Sequence, residues 1–337
     1  MLRYITGRLL FLPLILLGIA TIAFGLSNLP NGDPLLAIVG ERQMHDPAIV
    51  EAARARWGLD KPLHERYVTY LVNMVQGDFG TSFRTHRPVS RDIMERLPAT
   101  LELVLAGMLV GTVLGVTLGV VAARYRERLP DHLARFFALL GSSVPVFWSG
   151  LMLLYLFWLA LKWLPGPGRL APRSEAPDPV TGFFTVDSLI AGDWQKFTES
   201  LSHLILPACV LGWAVAGVIS RLVRASMLDV LSQDFVLAAR AKGASNLRVL
   251  VNHALRNSLI PILTIIGFSF AYLITGAVLT EAVFSWPGIG SYTVQAARAL
   301  DYPAIIGVTV IGGTAFLLTN LLTDIAYVLV DPRVRLN

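Results

Sequence analysis

Asp234-Phe-Val-Leu-Ala-Ala-Arg-Ala-Lys-Gly-Ala-Ser-Asn-Leu-Arg-Val-Leu-Val-Asn-His-Ala-Leu-Arg-Asn-Ser-Leu-Ile-Pro261 is a basic, polar-rich stretch between two apolar runs. Each of those runs is long enough to cross a membrane, so the stretch is a loop of a polytopic protein. Within it, Ala238-Ala-Arg-Ala-Lys242 is a strong helix former that stops at Gly243, and a second helix fits residues 246–257. The segment reads as a helix-turn-helix at a membrane surface, with Arg240, Lys242, Arg248 and Arg256 facing water or lipid phosphate. On composition alone, an amphipathic interfacial hairpin with no protein partner fits equally well.

Outward from this loop, hydropathy predicts six crossings, near residues 9–28, 99–123, 136–161, 204–222, 260–280 and 304–330. With 54% hydrophobic and only 15% charged residues among 337, the chain reads as an all-α polytopic membrane protein with six transmembrane helices. Its net charge of +5 is scattered among apolar spans and forms no aromatic-interleaved stripe, which argues against nucleic acid. Arg3 and Arg8 precede an apolar run too long for a signal-peptide core, and Leu-Pro-Asn-Gly-Asp follows it, so we expect an uncleaved first helix. With both termini inside, fourteen Arg and Lys face six Asp and Glu on the inner side, a net +8, leaving −3 for the rest. That asymmetry predicts cytoplasmic termini. The single cysteine, Cys209, lies among apolar neighbours and reads as a core residue.

Two outer segments exceed simple turns. Residues 29–98 predict an external cap, with helices over 46–59 and 63–75 and a turn at Gly77-Asp-Phe-Gly80. Residues 162–203 begin as Pro- and Gly-rich loop, with helix expected only over 186–202. A third outer piece, Phe284-Ser-Trp-Pro-Gly-Ile-Gly290, reads as a turn entering a helix over 292–300, with Trp286 and Tyr292 as interfacial anchors. Gly107, Gly111, Gly115 and Gly119 share one helix face, which we assign to packing within the subunit in preference to a dimer seam. There is no metal-spaced cluster, no nucleophile–base constellation and no Gly-x-x-x-x-Gly-Lys-Ser/Thr loop, so no catalytic or metal residue is nominated.

The loop resembles the cytoplasmic loop of ABC-importer permeases. Against their general motif, Ala238, Ala239, Gly243 and Leu255 match, while Leu237, His253 and Arg256 stand where Glu, Ile and Pro are usual. The peptide-class form, Ala-Arg-Ala-Lys-Gly followed by His-Ala-Leu-Arg-Asn-x-Leu-Ile-Pro, is matched over 239–243 and 253–261. Gly32-Asp-Pro34, Gly58-Leu-Asp-Lys-Pro62, Gly77-Asp-Phe-Gly-Thr-Ser82, Arg96-Leu-Pro-Ala-Thr100, Phe284 to Gly290, Asp301-Tyr-Pro303 and Asp331-Pro-Arg-Val-Arg335 resemble the same family, in its order.

The resemblance implies a permease subunit of a di- or oligopeptide importer in a bacterial inner membrane. Its implied partners are a second homologous permease, two cytoplasmic ATPase subunits, an external substrate-binding protein, the peptide and membrane lipid. The implied organisation is a first helix over 1–28, an external cap over 29–98, and a core over 99–337 of five helices with a coupling loop over 223–259. No cofactor is expected in this chain; ATP and Mg would bind the partner subunits. Phe235, Ala238, Ala239, Arg240, Lys242 and Gly243 are the implied ATPase-coupling residues.

As polar groups in or at the end of spans, Ser142, Ser143, Ser269, Tyr272 and Thr275 are candidate pathway residues, and Glu281 a candidate gate or docking group rather than a buried charge. Asn320 and Asp324, four apart, predict a structural hydrogen bond or a pairing with an arginine. The competing readings are a secondary transporter, for which no internal repeat is evident, and an intramembrane hydrolase, for which no constellation exists. Within the resembled class, nickel chelates or glutathione are alternative cargo.

Overall fold

A computed structural model describes residues 13–22, 24–25, 44–57 and 61–330, and among these every regular element is helical. Gly32-Asp-Pro34, most of Gly58 to Pro62, Asp331 to Arg335 and the ends of the first expected crossing lie outside the described residues, as do the side chains of Thr275 and Asp324. Short apolar α1 (Pro13–Ile22) is followed by the helical cap, α2 (Pro47–Trp57) and α3 (Leu63–Val75). α3 has the bounds its apolar spacing predicts, and Gly77 and Gly80 turn the chain behind it with φ of +77° and +82°.

α4 (Val89–Arg124) starts ten residues before the expected crossing and carries Pro98 inside it. The third expected crossing, 136–161, is two helices: α5 (Leu129–Ser143) and α6 (Val146–Ala160) meet at 106°. Pro145 supplies no N–H and forces Val144 into extended backbone, at φ −81° and ψ 130°, so the helix ends there. The helix expected over 186–202 is likewise divided. α7 (Phe184–Ile190) ends before Gly192, whose φ is +69°, and Asp193 then caps α8 (Trp194–Leu231) by accepting a 2.9 Å bond from the Lys196 N–H. The fourth expected crossing, 204–222, lies within a longer rod of 38 residues.

After α8 come α9 (Asp234–Ala241) and α10 (Asn246–Leu255), the latter π-helical from Val249. α11 (Leu259–Gly276) departs from α10 at 62°. The short α12 (Val278–Val283) and α13 (Ile289–Arg298) precede the final α14 (Tyr302–Val330). Among the described residues, three helices are long and apolar enough to span a membrane, and the two bent pairs raise this to five. The chain is an all-α polytopic membrane protein with a helical cap.

The four glycines of α4 decide how the core is built. A Cβ on Gly107, Gly115 or Gly119 would stand 2.9, 2.7 or 2.6 Å from the Cβ of Leu211, Ile219 or Val223, and one on Gly111 2.9 Å from the Gly212 carbonyl. The carbonyls of Ala208, Gly212, Ala216 and Ser220 face these glycines in the same order, so α4 and α8 run parallel with interlocking stripes of small residues. The expectation of packing within the subunit is met. α5 runs the opposite way along α8, with Gly141 against Trp213 and Gly217 against the Ala138 carbonyl. Leu103, Met108, Leu211, Ile219 and Met227 form the main core, joined at its inner end by Leu250 and Ala254 of α10.

Candidate functional site

At the C-terminal end of α8 the chain folds into the hairpin that the sequence predicts. α9 ends in a Schellman stop: the Gly243 N–H donates to the Arg240 carbonyl at 2.9 Å and the Ala244 N–H to the Ala239 carbonyl at 3.1 Å. Gly243 has φ +82° with nothing within 4 Å of an added Cβ, so glycine is required by conformation and not by space. Of α9, only Val236 is buried, while Phe235 is 39% and Leu237 58% exposed. Ala238, Arg240, Lys242 and Gly243 are exposed and Ala239 is half-buried, so all six nominated residues share one small surface element. Earlier on α8, Arg224 donates two bonds, of 2.9 and 2.8 Å, to the fully buried Asp131 at the start of α5. The Glu127 N–H adds a third at 2.9 Å, and Arg135 lies 3.2 Å away. This anchor was not nominated from sequence, although Asp131 and Arg135 sit at the helical i,i+4 spacing.

At the opposite end of the bundle, successive turns in the N-terminal part of α4 each hold one connecting segment. Asp92 accepts from Thr85 Oγ1 at 2.5 Å and Tyr292 Oη at 3.2 Å, and faces Arg96 at 3.3 Å. The Ala99 carbonyl accepts from Trp286 Nε1 at 2.8 Å. Thr100 Oγ1 accepts from the Ile289 N–H at 2.8 Å and donates to Glu281 at 2.6 Å. Glu102 accepts from Arg169 at 2.5 Å and from the Thr185 amide and hydroxyl at 2.9 and 2.7 Å. Arg169 in turn stacks on Phe184, 3.5 Å from the ring centroid. Ser82 Oγ donates to Asp301 at 2.5 Å, closing the turn after α3 onto the start of α14. Four motifs that are scattered along the chain, beginning at Gly77, Arg96, Phe284 and Asp301, thus meet at one place.

Two expectations are corrected here. Trp286 and Tyr292 are not interfacial anchors: they are 1% and 0% exposed, because their polar atoms find partners on α4. Glu281 is no exposed gate but fully buried, accepting from Thr100 and from the Ser291 N–H at 2.8 Å. Of the remaining pathway candidates, Ser142, Ser143 and Tyr272 are exposed, and Ser269 is buried. Gly288 packs against the Glu281 carboxylate, where a Cβ would come within 2.4 Å of both Glu281 and Thr100, so no larger residue fits the turn.

Burial pushes the Glu281 carboxyl up to about 7, against the hydrogen bonds from Thr100 and the Ser291 N–H. A carboxyl raised in this way binds its proton in the folded state and loses it in the unfolded state between its ordinary value of 4.5 and about 7. Stability is thus greatest below the lower value and falls as pH rises through about 7. Thermal unfolding of the detergent-solubilised protein from acid to mildly alkaline pH should show this decline, and Glu281→Gln should flatten it. An unchanged slope in the variant would rule out Glu281 as its source.

The comparisons with known proteins bear on this architecture. The family model described as "Binding-protein-dependent transport system inner membrane component" matches residues 115–336, and that for the N-terminal part of such components matches residues 1–104. The chain belongs to this family. The permease is 42% identical over 323 residues to the probable D,D-dipeptide transport system permease protein DdpB of Escherichia coli K12, covering 96% of this chain and 94% of the relative. It is 43% identical over 335 residues to the di/tripeptide transport system permease protein DppB of Pseudomonas aeruginosa, covering 99% of each. Among solved structures, an inward-facing MetNI methionine ABC transporter chain matches with a TM-score of 0.51 at 15% identity, covering 69% of the permease and 93% of that chain. That likeness is one of fold. The permease is a non-catalytic, multi-pass inner-membrane subunit of a binding-protein-dependent transport system.

Proposed function

We propose that this permease forms one half of the translocation pathway of an ATP-driven importer for di- or oligopeptides. The observation that carries the reading is α9, which exposes Phe235, Leu237, Arg240 and Lys242 at the inner end of the bundle and is rigidly stopped at Gly243. Exposed apolar side chains flanked by exposed cations suit an acidic-rimmed groove on a cytoplasmic ATPase. The near full-length likeness to permeases named for dipeptide and di/tripeptide transport supports peptide as the cargo.

In this reading the chain crosses the membrane six times, through α1, α4, the bent pair α5 and α6, α8, the bent pair α10 and α11, and α14. Both termini are cytoplasmic, residues 29–98 lie outside, and the core over 99–337 includes the coupling loop over 223–259. A second permease of the same family completes the pathway, two ATPase subunits bind ATP and Mg, and an external binding protein delivers the peptide. Closing of the ATPases displaces α9, and the flanking α8 and α10, which share the main core, carry that displacement into the membrane. Ser142, Ser143 and Tyr272 face the pathway, whereas Ser269 and Glu281 support it from within.

The test is reconstitution with the second permease, the ATPases and the binding protein. Peptide-loaded binding protein should stimulate ATP hydrolysis. Phe235→Asp and Gly243→Val should lower that stimulation at least about tenfold, a loss of about 1.4 kcal/mol of coupling, while the chain still inserts. Full stimulation in both variants would remove α9 as the coupling element.

A further inference from the structure

Arg221 and Arg224 are neighbours on α8, yet the fold treats them differently. Arg224 grips Asp131, whereas Arg221 has no carboxylate within ion-pair distance among the described residues. Its Nη1 donates instead to Ser142 Oγ at 3.1 Å, and both side chains are exposed. Because the Ser142 hydroxyl proton is directed to the Ala138 carbonyl at 3.2 Å, the serine acts only as an acceptor here, and the guanidinium keeps other donors free.

The depth of this pair is the telling feature. Ser142 packs beside Gly217, where an added Cβ would lie 3.1 Å from the serine Cβ. Gly217 stands seven residues outward of Arg224, or about 10 Å along the helix. Counted from the expected inner end of the crossing at residue 222, it lies about 7 Å inside a hydrocarbon layer of about 30 Å. An arginine serving lipid phosphates snorkels toward the nearest interface, but Arg221 reaches away from it. A cation at that depth is costly against acyl chains, so its open side faces water or polar cargo.

A second observation points the same way. The chain breaks between α5 and α6, with a 106° bend, immediately after Ser142 and Ser143. Irregular backbone at membrane depth is tolerated where it is buried in protein or lines a water-filled cavity, and these two serines are exposed.

Resting on the peptide-importer reading above, we propose that Arg221 and Ser142 form a carboxylate-accepting station on the translocation path, which takes the C-terminal carboxylate of the passing peptide. A guanidinium already oriented by one hydrogen bond presents its remaining N–H groups as a fork, the geometry that a carboxylate matches. Such a station recognises the one group that all linear peptides share and ignores their side chains.

The test uses the complete importer in liposomes, with Cys209→Ala and Ser142→Cys in this chain. Modification of the new thiol by anionic and cationic methanethiosulfonates is followed with the cytoplasmic side accessible. With Arg221 present the anionic reagent should react about tenfold faster than the cationic one, the effect of a nearby unit charge in a partly polar site. Arg221→Gln should erase that preference and Arg221→Lys should keep most of it. Dialanine should slow the modification, while dialanine amide, which lacks the carboxylate, should not.

An inaccessible thiol, a preference that survives Arg221→Gln, or equal protection by acid and amide would overturn the station. The second would point to another cation beside the thiol, and the third to binding that does not read the carboxylate. ATP hydrolysis stimulated by peptide-loaded binding protein is measured on the same vesicles with dialanine. Its absence in the native complex counts against the importer reading itself, and its presence alongside a failed thiol result removes the station alone.

Discussion

Gly115→Leu is expected to prevent α4 and α8 from docking, and with them the whole bundle from forming. The added Cβ would stand 2.7 Å from the Ile219 Cβ and 3.0 Å from the Ala216 carbonyl, and three further carbons have nowhere to go. A single methyl forced into such a site costs about 1–3 kcal/mol, so Gly115→Ala should fold with reduced stability. Leucine exceeds this because neither backbone can retreat without also opening the contacts at Gly111 and Gly119. Gly312→Leu, at a position with nothing within 4 Å, serves as the control. Size-exclusion profiles of the solubilised protein after heating should rank native and Gly312→Leu above Gly115→Ala, with no monodisperse peak for Gly115→Leu. A native-like profile for that last variant would refute the seam.

The second large effect concerns the outer end. Glu102→Ala leaves the Arg169 guanidinium, whose side chain is 7% exposed, buried without its counter-charge. Breaking one side of a buried pair costs about 3–5 kcal/mol. The loss should appear first as release of the segment that Arg169 and Thr185 tie to α4, and hence as tryptic cleavage after the exposed Arg173. Replacing both partners, Glu102→Leu with Arg169→Met, should restore much of the protection, since a buried pair is often matched by apolar residues of similar volume. Equal cleavage in the single and double variants would mean that the pair does not anchor the loop.

Local pattern was legible in the sequence, and long-range pairing was not. The bounds of α3, the stop at Gly243, the helix that follows it and the glycine face of α4 all follow from spacing and backbone preference within one or two turns. The matching small residues of α8, at 208, 212, 216 and 220, carry the same local signal. Pro145 is a local signal for the end of a helix, but the apolar run on both sides of it reads as one crossing. The burial of Trp286, Tyr292 and Glu281 had no local signal, because their partners on α4 lie 180 or more residues away in the chain. Aromatic and acidic residues beside a span look interfacial until a buried acceptor or donor claims them. Asp131 with Arg224 and Glu102 with Arg169 are the same kind of omission, at separations of 93 and 67 residues.

The paired stripes on α4 and α8 also set the stiffness of the molecule. α8 has 38 residues and α4 has 36, so each is over about 50 Å long, well beyond the thickness of a bilayer. Clamped along four successive turns, the two behave as a double beam, and a beam resists bending far better than either of its members alone. If the hairpin receives a push as proposed, the beam would deliver it to the polar clasp at its far end as rotation of one rigid body, with little lost to flexure between them. The same stiffness limits where a gate can lie. In the proposed importer, opening and closing would then fall at the contacts of α11 and α14 or against the second subunit, because the stretch clamped by Gly107 to Gly119 has no break and the prolines of the two helices, Pro98 and Pro207, lie to one side of it.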